Sequence, residues 1–218
     1  MKATLDAILK PEQARYLAEI EPARDALLEE MEQYAREHRQ PISDPEVASF
    51  LGVVARASAP KRLVEVGTNI GYGAIVLARN AGPNARLVTI ENDASMCDVA
   101  RGFIERAGLA EHVEVVHADA LAALATLEGE IDLAYIDCVK EHYPAYLDLI
   151  LPKLSARGII VADNVLWKGL VAPDDGPPAS EMGRVQALRT FNHAITSDSR
   201  LRGVILPLGD GVAFAVRV

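Results

Sequence analysis

The stretch VEVGTNIGYGA, residues 64–74, decides the fold. Val64, Glu65 and Val66 close a short β-branched run, RLVEVG (62–67), and the apolar residues after Gly73 open a helix. A strand, a glycine loop and a helix in that order form the first half of a βαβ unit. Gly67, Gly71 and Gly73 then lie at the carboxyl end of a strand, where open α/β sheets bind ligands. Glycine lets backbone approach a ligand closely. The order is GxxxGxG, whereas a dinucleotide site uses GxGxxG to seat a pyrophosphate on the helix N-terminus. An amino-acid tail suits this loop better, although a three-glycine turn that binds nothing is the plain alternative.

Outward from this loop the pattern repeats. RLVTIE (86–91), VEVVHA (113–118), IDLAYID (131–137) and GIIVAD (158–163) are short and β-branched. Helical stretches such as 94–107 and 143–154 separate them, which implies a parallel sheet covered on both faces with right-handed crossovers. At the C-terminus GVILPLGDGVAFAVRV joins two apolar runs through Gly-Asp-Gly, so a hairpin adds an antiparallel strand. Before the sheet, residues 12–58 read as helices, with Leu27, Leu28, Met31 and Tyr34 at helical spacing and Ser43 or Asp44 as an N-cap before Pro45. APDDGPPASEMG (172–183) reads as a surface loop ahead of a helix at 184–197. The expected fold is a Rossmann-like, doubly wound α/β domain of seven strands. Residues 1–60 form a helical cover and 61–218 the binding domain, together one structural domain.

Length and composition agree. A chain of 218 residues, half of them hydrophobic, suits one domain with a substantial core. The formal charge of −9 argues against a nucleic-acid partner, which calls for a basic face. Cys97 and Cys138 form no CxxC, and the five histidines show no metal-binding spacing. No signal-peptide core and no run of 18 apolar residues occurs, so a cytoplasmic protein without a membrane partner is expected.

Acids recur where strands should end. Glu91 closes the second strand, where a carboxylate can hold ribose hydroxyls. Asp119 and Ala120 follow the third, where the acid also suits a helix N-cap. Asp137 and Lys140 follow the fourth, and Asp163 and Asn164 the fifth. An acid and an amine at the mouth of a sheet are either a surface ion pair or a metal ligand beside a general base. Asp163 and Asn164 either cap a turn or complete the ligand set.

VEVGTNIGYGA, Glu91, ADAL, YIDCVKEHYPAYL and VADNVLW, in this order, resemble the class I, metal-dependent S-adenosylmethionine O-methyltransferases, whose branches include the catechol and caffeoyl-CoA enzymes. The resemblance covers roughly residues 42–218 and rests on the succession of five motifs. It implies that S-adenosyl-L-methionine binds along Ser43, Glu65, Gly67, Thr68, Tyr72, Gly73, Glu91, Asp119, Ala120, Asp137 and Tyr146. It implies Asp137, Asp163 and Asn164 as ligands of Mg²⁺, or Mn²⁺ or Ca²⁺. Lys140 becomes the catalytic base, Trp167 and Lys168 border the acceptor, and a homodimer is expected. The acceptor implied is a small phenol with two adjacent hydroxyls; a CoA-ester phenol is the alternative and a nicotinamide-dependent oxidoreductase a weaker one. Three positions depart from the family pattern. Gly73 replaces a serine whose hydroxyl helps hold the methionine carboxylate, a role left to backbone N–H groups or to Ser43 or Thr68. Val139 replaces an aspartate of the plant branch, and Lys168 a small or polar residue.

Hard oxygen donors suit Mg²⁺, and three protein ligands leave about three of six positions for water or acceptor. A lysine titrates near 10.4 when free, so a base at this position needs a neighbouring cation or partial desolvation to work at neutral pH.

Overall fold

The computed structural model describes residues 10–172 and 176–218. The sheet carries seven strands in the order β3-β2-β1-β4-β5-β7-β6. They are β1 (Arg62–Val66), β2 (Arg86–Glu91), β3 (Val113–His117), β4 (Ile131–Ile136), β5 (Leu154–Ala162), β6 (Leu201–Leu206) and β7 (Val212–Arg217). The first five run parallel. β7 is antiparallel to β5 and forms the expected hairpin with β6. The helices are α1 (Pro11–Glu19), α2 (Ala26–His38), α3 (Pro45–Ser58), α4 (Tyr72–Ala81), α5 (Ala94–Arg106), α6 (Ala120–Thr126), α7 (Tyr143–Ile150) and α8 (Met182–Ser197).

The sheet buries both faces. One core sets Leu63, Leu87, Leu133 and Tyr135 against α2, α3, α4 and α5. The other sets Val64, Val66, Ile136 and Ile160 against α6, α7 and α8. Because side chains alternate along a strand, the consecutive residues Leu63 and Val64 serve opposite cores. That is why the parallel strands read as continuous apolar runs.

Element bounds differ from the sequence reading in a few places. β5 begins at Leu154 instead of Gly158, because Leu154 pairs with Ile131 across a register shift. The helix expected over 143–154 stops at Ile150, and a 3-10 turn at Leu151–Lys153 carries Pro152, which has no N–H to continue it. α8 opens at Met182, after a 3-10 turn at Ala179–Glu181. Asp44, not Ser43, occupies the N-cap position of α3, and its side chain makes no capping hydrogen bond. Part of the loop expected at 172–183, Pro173 to Asp175, lies outside the described residues, as do residues 1–9 of the N-terminal segment.

The order of the strands positions the site. β1 leads outward through β2 to β3, and the chain then returns to lay β4 on β1's other side. The crevice above this reversal is the topological switch point.

Candidate active site

Five chain segments leave the parallel strands at one edge. Across the sheet they carry Asp119, Glu91, Gly67, Asp137 and Asp163, in the order of strands β3, β2, β1, β4 and β5. Neighbouring strands lie roughly 4.8 Å apart, so these groups line one crevice of about 20 Å.

The glycine loop is built by close approach. Gly67 has φ 103°, and a Cβ there would run into the carbonyl of Asp137. Gly71, with φ 87°, is the N-cap of α4. A Cβ at Gly73 would collide with Glu65 Oε1. The missing side chain at 73 therefore leaves room for the Glu65 carboxylate, which is 1% exposed. Burial, with Asp137 and Glu91 adding negative potential, pushes the Glu65 carboxyl up to about 8, against the hydrogen bond from Thr89. Thr89 Oγ1 donates to Glu65 Oε2 at 2.5 Å, so Thr68 Oγ1, 2.6 Å away, donates to Thr89. Ser43 Oγ lies 2.8 Å from the buried Tyr135 hydroxyl. Both hydroxyls considered as replacements for the absent serine are thus engaged within the protein. Tyr72 directs its hydroxyl to Glu32 on α2, at 2.9 Å.

Glu91 accepts three backbone hydrogen bonds, from Asn69 at 2.8 Å, Asn92 at 2.9 Å and Asp93 at 3.0 Å. A carboxylate offers about four acceptor sites, so these N–H groups aim it and leave it able to receive a hydroxyl. Asp119 caps α6 by accepting from Ala122 at 3.0 Å, with Ala120 buried beside it. Tyr146 is buried, with its hydroxyl against the Cys138 thiol.

Across the switch point, Lys140 and Asp137 form a partly buried pair, Nζ to Oδ1 at 2.7 Å, with the lysine side chain 8% exposed. Lys140 Nζ also donates to the Tyr143 hydroxyl at 2.8 Å. Tyr143 donates in turn to the backbone oxygen of Asp163 at 2.9 Å. Burial holds the Tyr143 phenol far above its ordinary range, so it keeps its proton. Asp163 is 1% exposed and accepts from the Asn164 N–H at 2.7 Å. Burial and the facing Asp137 carboxylate raise its pKa, against the pull of Lys140. Asn164, Trp167 and Lys168 all have positive φ, a local concentration of unfavourable backbone. Trp167 Nε1 donates to Glu181 at 2.7 Å, while Lys168 and Arg184 lie over its ring at 5.5 and 5.6 Å. Arg184 pairs with Glu141, next to Lys140, at 2.9 Å. Trp167 is thereby wedged between the loop after β5 and the start of α8.

The fit of a divalent cation can be judged from the donors. Asp137, Asp163 and Asn164 supply only hard oxygens. The Asp137 carboxylate adds to the cost of ionising the buried Asp163, which a dication would relieve. Among the described residues no group of three or more His, Cys, Asp or Glu gathers as a metal cluster; two acids with an amide stay below that count. The donor set suits a hard cation that keeps several other ligands.

Glu91, Asp119, Asp137 and Asp163 stand at the strand ends where the sequence pattern puts them, whereas that pattern gave no role to Tyr143, Thr89 and Tyr135, whose hydroxyls order the charged groups. Tyr143 stands three residues after Lys140, an available signal; Thr89 and Tyr135 look like ordinary strand residues.

The profile of the O-methyltransferase family matches residues 19–218. The catechol O-methyltransferase of Niastella koreensis is 33% identical over 203 residues, 88% of this chain and 90% of that protein. The caffeoyl-CoA O-methyltransferase of Stellaria longipes is 26% identical over 225 residues, 98% of this chain and 88% of its own. Among solved structures, an O-methyltransferase from Bacillus cereus in complex with SAH superposes with a TM-score of 0.84 at 30% identity, covering 95% of this chain and 97% of that one.

Proposed function

The chain belongs to the O-methyltransferase family, and on that premise we propose that it methylates one of two adjacent hydroxyls on a small aromatic acceptor, with the help of a divalent cation. That it is an S-adenosylmethionine-dependent O-methyltransferase follows from its relatives. The observation that carries the finer reading is the pair of carboxylates, Asp137 and Asp163, at adjacent strand ends beside an amine held at 2.7 Å from one of them.

S-adenosylmethionine, when bound, supplies a methyl group on a cationic sulfur. Glu91 would hold its ribose, Asp119 and Ala120 would border its adenine, and Glu65 and Gly67 would stand toward its amino-acid end. A cation held by Asp137, Asp163 and Asn164 would orient two adjacent acceptor oxygens and favour their ionised form. Lys140 Nζ takes the proton of the acceptor hydroxyl as that oxygen is methylated. Trp167 packs beside the acceptor ring. The protein acts mainly by positioning the two reactants, a contribution of several kcal/mol.

The test is a methyl-transfer screen with catechol, caffeate and caffeoyl-CoA, each with Mg²⁺ and with excess chelator, and mass spectrometry of the products. Turnover of catechol or caffeate that chelator abolishes and Mg²⁺ restores is the expected result. Full turnover in chelator refutes the cation's role, and turnover of caffeoyl-CoA alone moves the acceptor to the CoA-ester class.

A further inference from the structure

From the geometry around Lys140 we infer that Tyr143 is a positioning residue for the methyl-transfer reaction: it fixes the direction in which the Lys140 amine meets the acceptor's proton. The inference rests on Lys140 being the base. A primary amine has three positions besides its bond to Cε. One anchor, Asp137 Oδ1 at 2.7 Å, leaves the amine free to rotate about that contact. A second anchor, Tyr143 Oη at 2.8 Å, removes the rotation. One position remains, and it carries either the lone pair that accepts the acceptor's proton or the proton once taken.

Tyr143 can serve as a fixed anchor because it is itself held on every side. The side chain is fully buried, and its ring meets Phe191 of α8 edge-on, with centroids 5.2 Å apart. Its one hydroxyl proton is directed at the Asp163 carbonyl at 2.9 Å; the Ile136 carbonyl, at 3.2 Å, already accepts from the Asp163 N–H at 3.0 Å. With the proton committed there, the phenol oxygen offers only lone pairs to Lys140. The same hydroxyl thus joins the chain end that carries Asp137 and Lys140 to the chain end that carries Asp163.

Tyr143→Phe keeps the ring and removes the anchor. With catechol as acceptor and Mg²⁺ present, kcat should fall about tenfold, the effect of one lost directing hydrogen bond, while KM for S-adenosylmethionine and for catechol stays within about twofold. In a Lys140→Ala background, Tyr143→Phe should cause no further loss, because it acts through the absent amine. A readout independent of turnover is the ¹⁵N–¹H signal of the Lys140 side chain, assigned by its disappearance in Lys140→Ala. It should be visible in the wild type and broadened by exchange in Tyr143→Phe. An unchanged kcat, an equal loss in the Lys140→Ala background, or an unaltered Lys140 signal overturns the inference. If Lys140→Ala alone leaves kcat at the wild-type value, the assignment of the base falls instead.

Discussion

Glu65 combines two demands at one residue. It is a titratable group near the carboxyl end of β1, yet it is buried with little to compensate a charge, and its pKa is pushed up to about 8. In the unfolded chain it titrates near the ordinary value of 4.5. Below that pH the group is neutral in both states. As pH rises toward 8 the unfolded state releases its proton first, so folding stability falls, and above about 8 the loss is complete. Glu65→Gln lacks this titration. Chemical denaturation of the ligand-free protein at several pH values should therefore show the variant gaining on the wild type from pH 4.5 to 8, by roughly 2–5 kcal/mol. A difference that does not vary with pH would show that the carboxyl stays ordinary. Gly73 belongs to the same balance. Gly73→Ala would force Glu65 off its position and should weaken S-adenosylhomocysteine binding by about tenfold or more in calorimetry, as expected of a side chain placed into a closely packed site; unchanged binding would show that the loop yields freely.

At the scale of elements, α3 illustrates how a helix with little charge is divided by packing. Val47, Leu51 and Ala55 recur on its inner face and join the core with β1 and β4, whereas Val53 is 67% exposed. Leu51→Ala should cost about 2–5 kcal/mol in urea unfolding and Val53→Ala within about 0.5 kcal/mol. Comparable losses at both positions would mean that α3's outer face is covered in solution. α2 is tied to the sheet domain differently, by Met31 in the core and by ion pairs from Asp25 to Arg79 and Glu30 to Arg106. These pairs lie at the surface and orient the helix more than they stabilise it.

For the molecule as a whole, the crevice assembles only when the five parallel strands are in register, so ligand binding and folding are linked. S-adenosylhomocysteine at about 100 times its Kd should stabilise the protein by about 2.7 kcal/mol, seen as a raised Tm, and Glu91→Ala should remove most of the rise. A full rise in Glu91→Ala would place the ribose elsewhere. Among the described residues no helix is long and apolar enough to cross a membrane.

The alternation of β-branched runs with helices, and the Gly-Asp-Gly hairpin, were legible because each is a local pattern that burial on both sheet faces imposes on consecutive residues. For the same reason the acids of the crevice were legible, since each stands at the end of a strand or within two residues after it. The sequence by itself thus determined the class of fold and the ends at which charge collects. Tertiary structure alone decided what those charges do. Glu65 and Gly73 stand eight residues apart in sequence, yet the space around one is set by the absent side chain of the other. Tyr143 is near Lys140 in sequence, but it becomes an anchor only because β5 brings the Asp163 carbonyl to its hydroxyl and α8 brings Phe191 to its ring. Hydrogen-bond direction and desolvation depend on neighbours that arrive from distant parts of the chain, and no local pattern records them.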